Sequence, residues 1–414
     1  MSKKIKLAGM VAMLSMTFVS CSNDELKEAY QGEKITFTTK VGASRAQVIN
    51  GVADLESFHV HAEAHGDKDY TWLEQELAKK ASGDNSSGIY KFETDKMWPA
   101  DASSIEFWAY GPQEINNITH DGGLHIPDFS PKDSPKEQLD LVVAYTASKK
   151  TSGAVPLTFH HALSQVEVRA KCGADDKHVK IKGAWIVNLN NKGVLWYDKN
   201  ATDNIRWALD DAKTYYGESF AEIQLSKDFQ GLLAEYSNDT ESKEKRGNSM
   251  MMLPQAITAL QDAADPKDKG AYIVMLCRIE SHHVGAYANN HQDADPFVKD
   301  FPESATGDDI KFHHHQLYPQ PLNGSYKEDV YGYTCVPITA PEGEWKPGKK
   351  YIYNLAFFHE GSGGGILPPT DPGLPDGGEE TPGIDPGHPV VQEPISFTVT
   401  VEDWAKEEVT PSMK

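Results

Sequence analysis

An all-β chain of β-sandwich domains in tandem is what three features of this sequence predict. Short apolar or alternating runs recur between clusters of Gly, Pro, Asn and Asp; Val, Ile, Phe, Trp and Tyr dominate their inward positions; and helical periodicity is thin. The runs fall at 57–62, 105–110, 139–145, 155–159, 166–170, 179–187, 271–279 and 350–357. Strands at this spacing without long intervening helices predict immunoglobulin-like sandwiches. Two stretches, 72–80 and 228–236, read as helices of two turns. The polar stretch 171–176 reads as the boundary between an N-terminal sandwich over 34–173 and a C-terminal one over 174–414.

Composition narrows the class of partner. The chain has 414 residues, with Lys+Arg 40 against Asp+Glu 61 and a formal net charge of -21. A nucleic-acid binder needs a basic face to release counterions, so that class is excluded. At 39% hydrophobic and 10% aromatic residues the chain can bury proper cores. No apolar run reaches the roughly 18 to 20 residues of a spanning helix, so any membrane link is an anchor.

The N-terminus reads as an export signal over 1–20. Lys3, Lys4 and Lys6 precede the 13-residue apolar stretch 7–19. Phe18-Val19-Ser20-Cys21 then resembles a bacterial lipobox, which makes Cys21 the lipidated first residue of the mature chain. Several acyl chains on one cysteine give a stable anchor. Residues 21–33 form an acidic tether, and Ser22-Asn23-Asp24-Glu25 resembles the tag that directs some lipoproteins to the outer face of the outer membrane. Cys172, Cys277 and Cys335 remain, an odd number, so at most one disulfide could form with one thiol left over, and Cys277 and Cys335 lie in apolar runs that suit buried small hydrophobes.

One segment departs from the rest in composition. Residues 361–394 hold nine Gly and eight Pro among 34, with six acids and no Lys or Arg. That composition predicts a solvated linker that packs no core. Two matching strands sit at opposite ends of the chain. ITFTTKV at 35–41 and ISFTVTV at 395–401 share Ile35/Ile395, Phe37/Phe397, Thr38/Thr398 and Val41/Val401. Both place their bulky residues on one parity, Val399 included, so the two segments suit equivalent edge grooves. If the first left, the second from a neighbouring molecule would take its place, with ladder bonds supplying affinity and alternate side chains filling pockets.

Arginine use points to how the first strand leaves. Arg45 is the single arginine ahead of Arg169, it follows ITFTTKV, and Ala43, Ser44 and Ala46 around it suit an accessible loop. Arg169 and Arg278 lie inside strand patterns, and Arg246 is the competing exposed site.

Catalytic and metal patterns fit poorly. The 343–350 run matches a phosphate loop except at its last position, Lys350, where Ser or Thr is required, and it leads into a strand. His282-His283 and His313-His314-His315 lack the spacing of a zinc site and read as solvated loops. Asp198, Asn200, Thr202 and Asn204 mimic a calcium loop, but Asp203 and Leu209 stand at its glycine and glutamate positions. His161 reads as a satisfied histidine at a strand end. No active site, metal or cofactor is expected.

Taken in order, these pieces resemble the fimbrillin family of Mfa-like pilins and adhesins. The resemblance is carried by Cys21, Ile35 to Phe37, Arg45-Ala46, Met97-Trp98-Pro99, the segment from Phe107 to Pro112, and the segment from Asp140 to Ala144. It continues through 157–164 (LTFHHALS), Leu253-Pro254-Gln255, 345–351 (WKPGKKY) and Phe397 to Trp404. The resemblance implies two transthyretin-like β-sandwich domains and export as a lipoprotein to the outer membrane. It also implies cleavage after an arginine, here Arg45 before Ala46, and polymerisation with other fimbrial subunits by strand exchange. The donor would be 395–401, and the surface would meet a host or bacterial ligand. The tail after the donor strand is short for a stalk subunit. The rival reading is a monomeric surface lipoprotein that binds glycans on Trp72, Trp196 or Trp207; a hydrolase on a β-sandwich scaffold is weaker still.

Overall fold

The computed structural model describes residues 34–40, 55–81, 89–115, 117–150, 153–199, 205–234, 247–284, 295–301, 312–369, 374 and 378–404. Among these the chain is all-β, as the sequence predicts, and every predicted strand coincides with an observed one.

Alternation of inward apolar residues builds the first sheet. Its order is β10 (His160–His161), β8 (Val142–Lys149), β5 (Ala102–Gly111), β2 (Ser57–Gly66), β3 (Tyr70–Lys80), β4 (Ile89–Phe92), β1 (Thr36–Lys40) and β9 (Val155–Thr158). Phe58, Val60 and Ala62 of β2, Ile105 and Phe107 of β5, Val142 and Ala144 of β8, and Val155 and Leu157 of β9 share one buried core. β9 at one end of the sheet and β8, next to the other end, both reach that core, so the sheet curls over its own inner face. The outward residues Trp108, Tyr110 and Val143 are buried as well, in a second core. A four-stranded sheet contributes to that core, in the order β14 (Ile205–Leu209), β13 (Gly193–Tyr197), β7 (Leu124–Phe129) and β6 (Thr119–His120). The small sheet takes two strands from each half of the chain.

The second half forms a sandwich of two sheets. One runs β16 (Gln230–Leu233), β11 (Ser164–Cys172), β22 (Lys349–Phe357), β23 (Ser396–Asp403), with β17 (Met250–Met252) also on β11. The other runs β15 (Lys213–Gln224), β12 (Lys177–Asn190), β18 (Tyr272–Val284), β20 (Phe312–Tyr318), β19 (Val298–Phe301), with β21 (Gly332–Pro337) on β18. Val166, Val168, Tyr353 and Leu355 from the first face Ile181, Ile186, Met275 and Cys277 from the second. A bulge in β12 between Ile181 and Gly183 switches its inward parity, and the Trp185 ring lies 2.3 Å from where a Gly183 Cβ would stand, which is why glycine is needed there.

Three expectations need correction. The 72–80 stretch is strand β3, not helix: Gln75 adopts a positive φ of 52° and the register with β2 shifts there, so a bulge lets Leu73 and Ala78, five residues apart, both face inward. The described part of 228–236 holds strand β16, Gln230–Leu233, and no helix. The 361–394 segment is not a free linker in its described parts. Ile366 and Val390 are buried, Leu367, Leu374, Ile384 and Val391 pack against the cores, and Ile366 exchanges backbone hydrogen bonds with Cys335 at 2.8 and 3.1 Å. Sparse aliphatics between the prolines supply the contacts that average composition hides. The change of sheet falls between β10 and β11, and β11 ends at Cys172, inside the polar 171–176 stretch.

Candidate functional site

The two matching strands occupy different situations. β1 lies inside its sheet. It pairs antiparallel with β4, Phe37 opposite Tyr90, and parallel with β9, Phe37 opposite Val155. Ile35, Phe37 and Thr39 point inward and are buried, while Thr36 and Thr38 are half-buried. The Phe37 ring meets Phe58, Phe92 and Phe107 edge to face, at centroid distances of 5.9, 5.5 and 5.5 Å. Burial of Ile35 and Phe37 contributes about 1.5 to 3 kcal/mol each before ordering costs. The expectation of an edge groove is therefore corrected for this strand, because its loss would open two ladders and a core slot together.

β23 is the edge strand. It pairs antiparallel with β22 from Lys349 opposite Asp403 to Ala356 opposite Ser396, and has no second strand partner among the described residues. Ile395 is buried, Phe397 and Val399 are half-buried against the sandwich core, and Val401 is 41% exposed. Inward parity is thus shared with β1, but burial fades along the strand. Trp404 ends it: its ring stacks on His161 at 3.9 Å with planes 6° apart, and it is buried in the core between the two halves. His161 in turn holds Asp140 Oδ2 through Nδ1 at 2.9 Å, but its buried Nε2 has no hydrogen-bond partner, so the expected satisfied histidine is satisfied at one ring nitrogen only.

Cys21, Val41, Arg45 and Ala46 lie outside the described residues. Arg278, on β18, is fully buried and ion-paired to Glu280, and Arg169 pairs with Glu167 on β11. Both are held inside strands. Cys172, Cys277 and Cys335 are buried free thiols, and burial pushes each thiol's pKa up.

The histidine runs are the clearest correction. They stand on paired strands, not in solvated loops: His282 faces His314 and His283 faces His313 across β18 and β20. His283 Nε2 and His315 Nε2 approach to 3.1 Å, and His313 is buried. Alternation puts neighbouring histidines on opposite faces of a sheet, where each finds an aromatic or histidine neighbour.

Of the three tryptophans proposed as platforms, Trp196 is exposed, at 39%, beside the His125 ring. Trp207 donates its indole N–H to Ala162 O at 2.8 Å, and Trp72 packs against the first core. The 343–350 run is a turn into β22, with no helix behind it.

Two features escaped the sequence reading. Trp404 stood in view at the end of the donor motif, but its stacking partner is far away in sequence. His61, Glu63 and His120 converge, and half the signal was visible as His59, His61, Glu63 and His65 at alternate positions.

The arrangement belongs to the class of all-β proteins built from several packed sheets, with β1 and β23 the first and last strands among the described residues. A family model described as fimbrillin-like matches residues 44–276. The chain belongs to the fimbrillin-like family. Among solved structures, a candidate cell adhesion protein from Bacteroides uniformis is 12% identical with a TM-score of 0.39, over 90% of this chain and 98% of its own. One from Bacteroides ovatus is 11% identical with a TM-score of 0.41, over 91% and 99%. A candidate polysaccharide-binding protein from Bacteroides thetaiotaomicron is 10% identical with a TM-score of 0.29, over 59% and 76%. No functionally curated protein matches the sequence.

Proposed function

We propose that this protein is a structural and adhesive subunit of a bacterial fimbria, exported as a lipoprotein on Cys21, cleaved after Arg45 and joined to other subunits by strand exchange. Membership of the fimbrillin-like family supports the adhesive, fimbrial-type role at the cell surface. One observation carries the exchange step. β1 fills an internal slot with Ile35, Phe37 and Thr39, and Ile395, Phe397 and Val399 offer the same parity from the edge of the other sheet system.

The physical logic is one of unequal burial. With β1 gone, the facing backbone groups of β4 and β9 lose their partners, and Phe58, Phe92 and Phe107 lose theirs. Buried polar groups without partners are costly, and an open sheet edge recruits another strand. A donor leaving its own edge moves Phe397 and Val399 from half burial to full burial, a gain on the order of 1 kcal/mol per side chain. The anchor on Cys21 and the acidic tether would hold the subunit at the outer membrane until cleavage frees it.

The test is limited digestion of the purified protein with an arginine-specific protease, followed by gels and electron microscopy. Ladders and filaments that vanish in Arg45→Ala support exchange. Cleaved protein that stays monomeric refutes it and favours glycan binding at the exposed Trp196.

A further inference from the structure

The outward face of the first sheet carries a cluster that strand exchange does not use. β2 presents His59, His61, Glu63 and His65 at alternate positions, and β6 lays His120 across them. The His61 and His120 rings stack at 3.8 Å with planes 19° apart. Glu63 Oε1 lies 3.3 Å from His120 Nδ1 and 3.9 Å from His61 Nε2, and one donor atom from each residue falls within 4.8 Å of the others. Zinc held at about 2.0 to 2.2 Å in a tetrahedron sets its donors roughly 3.3 to 3.6 Å apart, so small rotamer changes suffice.

The second observation is unmet polarity. The side chains of His61 and His120 are 7% and 6% exposed, yet His61 Nε2, the nitrogen on the Glu63 side, has no hydrogen-bond partner. A buried imidazole nitrogen without a partner is destabilising unless something else binds it. Glu63, 28% exposed, gives the cluster a side open to solvent.

We propose that His61, Glu63 and His120 form a site for a divalent transition metal ion, zinc above all, with one coordination position open to water. Two imidazoles and one carboxylate suit zinc, nickel or copper, whereas calcium and magnesium take oxygen shells. Metal binding requires neutral imidazoles. Burial, reinforced by His61, lowers the pKa of His120 to about 4, and burial lowers that of His61 against the opposing pull of Glu63. The adjoining group of Glu63, His65 and Glu106 is the poorer site, because Glu106 already holds Lys199 at 2.5 Å and accepts from Tyr145 at 2.9 Å. An ion here would tie β2 of the eight-stranded sheet to β6 of the sheet shared by both halves.

The test is isothermal titration of chelator-stripped full-length protein with zinc chloride at neutral pH, with cobalt(II) absorbance as a second readout. One equivalent should bind in wild type and raise the melting temperature. Loss of an outer-shell group weakens metal sites about 10- to 100-fold, so loss of a ligand in Glu63→Gln or His120→Gln should weaken binding at least about tenfold. Glu63→Gln sits at the open side, and circular dichroism verifies that its fold is kept. The control is the double variant His283→Gln, His315→Gln, which should leave the affinity unchanged. Wild-type affinity in both cluster variants, loss confined to the control, or no saturable binding by wild type would each overturn the proposal.

Discussion

Replacing Phe37 by alanine measures how far β1 is an integral strand. The ring is fully buried and meets three aromatic rings edge to face. Truncating a buried phenylalanine removes its transfer free energy and leaves a cavity, together about 3 to 5 kcal/mol. The equivalent Phe397→Ala change acts on a half-buried ring at a sheet edge, and half of a 1.5 to 3 kcal/mol burial is about 1 kcal/mol. Urea unfolding of the intact protein, followed by tryptophan fluorescence, should therefore separate the two variants by about 2 to 4 kcal/mol. Hydrogen exchange should accelerate in β4 and β9 for Phe37→Ala and in β22 for Phe397→Ala. Equal losses, or a Phe37→Ala loss below about 1 kcal/mol, would show that internal and edge placement do not govern the two strands.

Trp404→Ala should destabilise by about 3 to 5 kcal/mol and speed amide exchange along β23, since the ring is buried and stacked on His161. Arg278→Ala should destabilise by about 3 to 5 kcal/mol by stranding buried Glu280, while Arg278→Met with Glu280→Leu should lose far less; denaturation curves of the three proteins decide it. Stability should fall as pH drops below about 6.5, the ordinary histidine pKa. Burial, then repulsion from His282, lowers His178; burial, against Glu280 and with His282, lowers His314. Their folded pKa values therefore lie below the unfolded one, and the unfolded chain binds more protons in that window. A His178→Gln, His314→Gln variant should show a flatter pH profile in thermal melts. Cys172, Cys277 and Cys335 should resist a thiol reagent in the native protein and react on denaturation, because burial raises all three thiols; fast native labelling would contradict their placement.

Much of the fold was legible because strand signals are local. Alternation of β-branched and aromatic residues is enough to place β2, β5, β12 and β22, and it pairs ITFTTKV with ISFTVTV without any structure. What alternation cannot carry is the neighbour. That β1 sits between β4 and β9 depends on chain segments distant in sequence, so an internal strand was read as an edge. The bulge at Gln75 broke period two in β3 and left spacing that passed for helical. In the 361–394 segment, composition was averaged over its glycines and prolines, and the few aliphatic residues that decide its docking were lost in the mean. His61 and His120 come from separate hairpins, and their meeting is tertiary. The histidines of β18 and β20 read as solvated loops because consecutive polar residues imply a loop; in a sheet they simply divide between two faces.

The four-stranded sheet joins β7 to β13 from Leu124 opposite Tyr197 to Phe129 opposite Gly193. The two halves of the chain are therefore stitched by main-chain bonds rather than by a hinge. In a filament under flow, tension passing from one half to the other would load those bonds together with the covalent chain, and swivelling at the joint would mean rupturing them. A stiff link in a long fibre is what such stitching supplies.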